Sequence, residues 1–234
     1  MNLGPYEYVV WIAGFLLEVG VVVCAVYRKT FLKYFSLNLY MVGTVIATCG
    51  LFVCLHEFGF TSKEYVYYYY YSDCLLYVLM YFVIIQFYQQ VFEEMAVSKY
   101  IQSAAALLLA ATALFSYLVV HQNKDHLTSR FVVELEQNLN FVGVVLTYVL
   151  WGSILKLRET RTRLIQLVLA LGVYFSATAG IYALRNLFPE LEPRFLHWLP
   201  PLVGIWLPLA WAYTFTRVSE DARLTPARLV VKPR

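Results

Sequence analysis

The chain has 234 residues, of which 61% are hydrophobic and 14% charged, and its formal net charge is +3. A soluble domain carries about 25% charged residues, so this composition excludes a water-soluble globule and names lipid as the solvent. No basic run with interleaved aromatics exceeds what flanks a membrane helix, which argues against nucleic acid as a partner.

A hydrocarbon core about 30 Å thick needs roughly 20 apolar residues of helix. Seven stretches meet that need, at 7–27, 35–55, 65–89, 102–120, 134–155, 164–185 and 196–216. Strand-like alternation is absent, and backbone polar groups in lipid must pair within their own segment. The sequence therefore predicts an all-α fold, a bundle of seven transmembrane helices over residues 1–216. A cytoplasmic tail follows at 217–234.

The first stretch follows no basic segment and lacks a small-residue cleavage site, so it reads as a retained helix rather than a signal peptide. It carries Glu18 near its middle and stops at Tyr27-Arg28-Lys29. The third opens with Tyr65 and Tyr67 to Tyr71, residues that favour the membrane interface, and carries Asp73 about two turns in. The fifth opens with Glu134, Glu136, Gln137, Asn138 and Asn140. That outer turn is expected to face water or a polar interior. The sixth bears Tyr174, Thr178 and Tyr182, with Arg185 near its outer end. The seventh starts at Pro200 and Pro201, and Pro208 should kink it between Trp206 and Trp211. Cys24, Cys49, Cys54 and Cys74 form no CxxC pattern and read as small apolar side chains. A Cys54–Cys74 bridge would require those helix ends to touch.

Basic residues orient the bundle. With the N-terminus outside, the cytoplasmic segments hold 13 of the 18 Lys and Arg, namely 28, 29, 33, 99, 156, 158, 161, 163, 217, 223, 228, 232 and 234. Cytoplasmic segments carry that excess in membrane proteins, so an extracytoplasmic N-terminus is predicted.

Ionisable groups inside a membrane are costly and are functional candidates by default. Glu18 and Asp73 are the clearest, with Arg185 as a possible counter-charge or a snorkelling side chain. Asp73, Tyr77 and Tyr81 share one helix face. Gln137, Asn140 or Phe141, Val144, Tyr148 and Trp151 form a stripe on the fifth helix, and Tyr174, Thr178 and Tyr182 another on the sixth. The expected ligand-binding set is Glu18, Asp73, Tyr77, Tyr81, Asn140, Tyr148, Tyr174, Thr178 and Trp206. An aromatic pocket with scattered hydroxyls suits an amphipathic small molecule, a pigment or a lipid; aromatics at helical spacing also serve as ordinary bundle packing.

The histidines His56, His121, His126 and His197 fall on the outer side. His56, His121 and His197 are candidates to hold a haem or a metal. Their spacing, without an HxxxH pair, favours solvated interface residues. No cofactor is specified, and no catalytic constellation is visible.

The residues that would mark better-known seven-helix families are missing. The last stretch has no lysine for a retinal Schiff base. Gln89-Gln-Val-Phe-Glu-Glu stands where a G-protein-coupled receptor carries an acid-Arg-aromatic triplet. Ser72-Asp73 has no histidine partner on the cytoplasmic side, unlike ceramidase-like and progestin-receptor-like hydrolases. Polar first span, Tyr27-Arg28-Lys29 stop and aromatic third span together resemble small uncharacterised seven-span proteins of bacterial inner membranes. The resemblance covers the whole chain and implies a bacterial cytoplasmic-membrane location, without an activity.

The expected function is non-catalytic: binding of an amphipathic molecule in the bundle, or service as an accessory subunit beside other membrane subunits or a second copy. An intramembrane enzyme or proton-coupled transporter using Glu18 and Asp73 is the alternative, and a haem or metal protein a third.

Overall fold

A computed structural model describes residues 5–95, 98–121, 127–187 and 199–224. These form seven helices, α1 (Pro5–Tyr27), α2 (Phe35–Phe58), α3 (Lys63–Val91), α4 (Ser98–His121), α5 (Leu127–Leu157), α6 (Thr162–Leu187) and α7 (Leu199–Arg217), with a 3₁₀ turn at Glu93–Met95. There are no strands among the described residues. Six helices are long and apolar enough to cross a membrane, which marks an integral membrane protein. The seventh, 19 residues long with Pro208 inside it, is not among those six; three prolines and two tryptophans lower its hydropathy. The expected stretch 196–216 begins outside the described residues. α5 starts seven residues earlier than the hydropathy suggested, so the polar turn 134–140 lies within a helix rather than at its mouth.

The helices alternate in direction. One face of the bundle carries the starts of α1, α3, α5 and α7, and is called here the N-terminal face; the opposite face is the C-terminal face. Packing runs α1–α2–α3–α5–α6–α7 and back to α1, a closed ring of six, while α4 lies outside against α3 and α5. Tyr81 Oη donates to Ala105 O at 2.8 Å and Asn138 Nδ2 to Ser116 Oγ at 3.0 Å, tying α4 to its two neighbours. Tyr88 Oη donates to Leu146 O at 2.7 Å between α3 and α5.

Inside the ring the C-terminal half is packed with apolar side chains, among them Leu37, Met41, Ile84, Phe87, Leu167, Phe175 and Trp211, all fully buried. Large apolar residues such as Leu16, Leu75, Leu107, Phe141 and Leu155 instead point outward. Such an apolar exterior is the pattern of helices solvated by lipid. Gly143 permits the close approach of α5 and α6: a Cβ there would sit 2.5–2.8 Å from the Phe175 ring.

Helix ends obey the usual capping rules. Ser62 accepts from Tyr65 N at 3.1 Å to cap α3. Lys29 and Arg158 adopt left-handed backbone (φ 54° and 51°) just past α1 and α5. Thr30 N to Ala25 O and Glu159 N to Ile154 O, both 3.0 Å, close the two Schellman turns. Near the start of α2, Ser36 N donates to Gln86 Oε1 at 3.0 Å, so an orphan helix donor is met from α3.

The segment after α7 latches the C-terminal face. Thr162 N donates to Ala222 O at 3.1 Å and Leu224 N to Thr160 O at 2.8 Å, around an antiparallel bridge between Arg161 and Arg223. Glu220 bridges Lys33 Nζ and Arg163 Nη1, each at 2.5 Å, and accepts from Tyr34 Oη at 3.4 Å. Arg163 is buried in the first turn of α6, where a cation is disfavoured by the helix dipole. Its stability rests on Glu220, on the Val218 carbonyl and on the Phe215 ring, 5.7 Å from its Cζ.

Burial raises the affinity of Glu220 for a proton, but the Lys33 hydrogen bond and the Arg163 charge outweigh it, and its pKa lies below the usual carboxylate value. A depressed folded value means the contribution is present above the unfolded value of about 4.3 and is lost as pH falls through the folded one. Thermal stability in detergent should therefore fall below about pH 4.3 in the wild type, with that component missing in Glu220→Gln. At pH 7 Glu220→Gln should cost about 1–2 kcal/mol, less than a fully buried pair because the Glu220 side chain is 33% exposed. Gly143→Ala should cost about 1–3 kcal/mol by overpacking, measured by denaturant unfolding in detergent.

Candidate functional site

The acids Glu18, Asp73 and Glu136 of the bundle interior fall in two groups. The first is built by α3, α5 and α6. Asp73 and Glu136 lie beside each other. Tyr182 Oη donates to Glu136 Oε1. Tyr77 neighbours Tyr174 and Tyr182. Thr178 Oγ1 donates to Tyr174 O at 2.9 Å.

The second group centres on Glu18 of α1, which lies beside the hydroxyls of Thr44 and Thr48 of α2. Glu18 Oε2 is buried with no hydrogen-bond partner. Tyr40 stands between the groups, within charge-interaction range of Glu18, Asp73 and Tyr174, and packs edge-on against Trp211 with ring centroids 6.1 Å apart. Five of the six ring helices thus contribute to one polar zone.

Of the sequence-expected residues, Asp73, Tyr77, Tyr174 and Thr178 come together, and Glu18 lies across Tyr40 from them. Asn140 is 2% exposed, one turn along α5 from Glu136, and its Oδ1 has no partner. The other three lie elsewhere. Tyr81 is buried toward α4 through its bond to Ala105. Tyr148 is 63% exposed, with its hydroxyl 3.3 Å from Ser176 Oγ on the outer flank of α5 and α6. Trp206 Nε1 donates to Ala170 O at 3.3 Å, between α7 and α6.

The stripe expected along α5 is rotated from the face that packs. Phe141 and Tyr148 look outward, while Leu139, Asn140, Thr147, Leu150 and Ile154 are buried. Glu136, Thr44, Thr48 and Tyr40 were absent from the expected set. Glu136 had a signal, because 136, 140, 143, 147, 150 and 154 share one helix face and include every small or polar residue of that face.

His56 is exposed and stacks on Phe52 with centroids 6.5 Å apart. The side chain of His121, and His197, lie outside the described residues, as does the side chain of Arg185. No group of three or more His, Cys, Asp or Glu that could hold a metal occurs among the described residues. The four cysteines are free thiols, Cys54 and Cys74 included.

No family model matches the chain, and no curated protein and no solved structure matches it.

Removing the Tyr182 hydroxyl would deprive a carboxyl in the bundle interior of a donor. Tyr182→Phe should destabilise the protein by about 1 kcal/mol, and Asp73→Asn should offset part of that loss by supplying an amide donor to Glu136. A thermodynamic cycle of the two substitutions in detergent measures the coupling.

Proposed function

We propose that this chain crosses the membrane seven times with its N-terminus outside, and binds a small amphipathic molecule within the bundle at the Asp73–Glu136 group. α7 is the seventh span in this reading. Its antiparallel packing on α6 and its buried Leu207, Trp211 and Phe215 support that role. The basic residues gathered on the C-terminal face support a cytoplasmic location for it.

The observation that carries the binding reading is the carboxyl pair ringed by tyrosines inside an otherwise apolar bundle. Two acids and several hydroxyls in that setting cost folding free energy, and apolar residues would pack the same space without that cost. Tyrosine rings offer apolar walls with polar edges, and the carboxyls offer acceptors or a shared proton. The bound molecule would then have an apolar body and a hydrogen-bonding or cationic group.

A second reading, proton-coupled transport, is favoured by one specific feature. Glu18, whose Oε2 is unpartnered, lies on the far side of Tyr40 from the Asp73–Glu136 pair. Thr44 already donates to Met41 O at 2.8 Å, so toward Glu18 it offers an acceptor. Two interior acids on one route across the bundle are what proton transport requires.

Native mass spectrometry of protein extracted in mild detergent tests the binding reading. A molecule should leave with the wild type and be missing from an Asp73→Asn, Glu136→Gln variant that elutes as the wild type does. A wild-type chain that carries neither ligand nor partner would overturn it. Proton uptake by reconstituted vesicles, lost in the same variant and in Glu18→Gln, marks the second reading. For the topology, a fluorescent protein fused after Arg234 should fluoresce in cells, and alkaline phosphatase at the same junction should stay inactive.

A further inference from the structure

A groove of about 750 Å³ runs along the outer flank of α5 and α6, away from the carboxyl group. Its walls include Thr147, Tyr148, Trp151, Gly172, Val173 and Ser176. Gly172 makes the room: a Cβ there would lie 3.1 Å from Thr147 Cγ2 and 3.4 Å from Trp151 Nε1. At the deep end Tyr148 Oη donates to Ser176 Oγ at 3.3 Å, and Ser176 Oγ in turn donates to Gly172 O at 2.7 Å. At the shallow end the Trp151 indole N–H has no acceptor, whereas Trp206 and Trp211 each donate to a backbone carbonyl. An indole donor facing hydrocarbon without an acceptor is costly, so an occupant is expected to bring one.

Beyond the C-terminal end of the groove lies a positive charge. Arg158 follows α5 seven residues after Trp151, about 10 Å along the axis at 1.5 Å per residue and on the same side of the helix at 100° per residue. It is exposed and takes part in no ion pair among the described residues. The neighbouring acid, Glu159, is held by Arg161 at 2.7 Å and does not neutralise it. From the membrane surface inward the flank thus presents cationic charge, then a hydrogen-bond donor, then an apolar channel. A phospholipid presents an anionic phosphate, an ester carbonyl and an acyl chain in that order.

We propose that this groove is a binding site for one anionic phospholipid. Its phosphate lies against Arg158, an ester carbonyl accepts from Trp151 Nε1, and one chain fills the channel beside Gly172. The site is separate from the Asp73–Glu136 group and does not depend on it.

The test uses the full chain in mild detergent, with phosphatidylglycerol or phosphatidylcholine added and native mass spectrometry as the readout. The wild type should retain one phosphatidylglycerol at least tenfold more strongly than phosphatidylcholine. Arg158→Gln should bring phosphatidylglycerol down to the phosphatidylcholine level, and Lys156→Gln, on the other side of α5, should not. Trp151→Phe should weaken both lipids about threefold to tenfold, and Gly172→Leu should abolish retention. Asp73→Asn with Glu136→Gln should leave lipid retention unchanged, which separates this site from the bundle interior. Circular dichroism and elution position check each fold; should Gly172→Leu not fold, the charge and indole variants decide the matter. Equal retention of the two lipids by the wild type would overturn the proposal. So would full retention by the charge and indole variants, or displacement of the lipid by millimolar inorganic phosphate alone.

Discussion

Hydrocarbon around the helices is the constraint on which everything else in this molecule depends. It forces each backbone polar group to pair inside its own helix, and it removes the hydrophobic driving force between helices, leaving packing and interhelical hydrogen bonds to choose neighbours. The interhelical bonds visible here are of that kind. Tyr88 reaches the Leu146 carbonyl, Tyr81 the Ala105 carbonyl, and Trp211 the Leu167 carbonyl. In each, an aromatic side chain joins apolar packing to one donor aimed at the next helix.

The same constraint divides the bundle in two. On the C-terminal side, apolar residues pack the ring, and Glu220 meets the buried Arg163 and ties α6, the turn before α2 and the segment after α7 together. On the N-terminal side, carboxyls and hydroxyls replace apolar contacts in the ring. α4, outside the ring, takes no part in either half and is held by Tyr81 and Asn138.

Two kinds of polar feature serve different ends. The Glu220 latch and the glutamine contact at the start of α2 satisfy groups that the fold leaves open, and their chemistry is complete within the chain. Glu18 Oε2, Asn38 Oδ1 and Asn140 Oδ1 are buried and incomplete within it. Incomplete polar groups in a low-dielectric interior are where a partner of another kind gains most.

The sequence by itself determined the medium, the helical class and the helix positions, because stretches of about 20 apolar residues and the pairing of backbone groups are local properties. Glu18 and Asp73 were legible for the same reason: a charge within an apolar run is visible without any neighbour. The tertiary structure alone decided that Glu136, not Tyr148 or Tyr81, joins Asp73, that Thr44 and Thr48 face Glu18, and that α4 stands outside the ring. Those outcomes depend on how far each helix is rotated about its axis. Lipid is as apolar as the core, so an all-round apolar helix carries no amphipathic stripe to set that rotation. Along α5 the step from 136 to 137 turns a side chain by about 100°, and only packing of Gly143 against Phe175 selects which one looks inward.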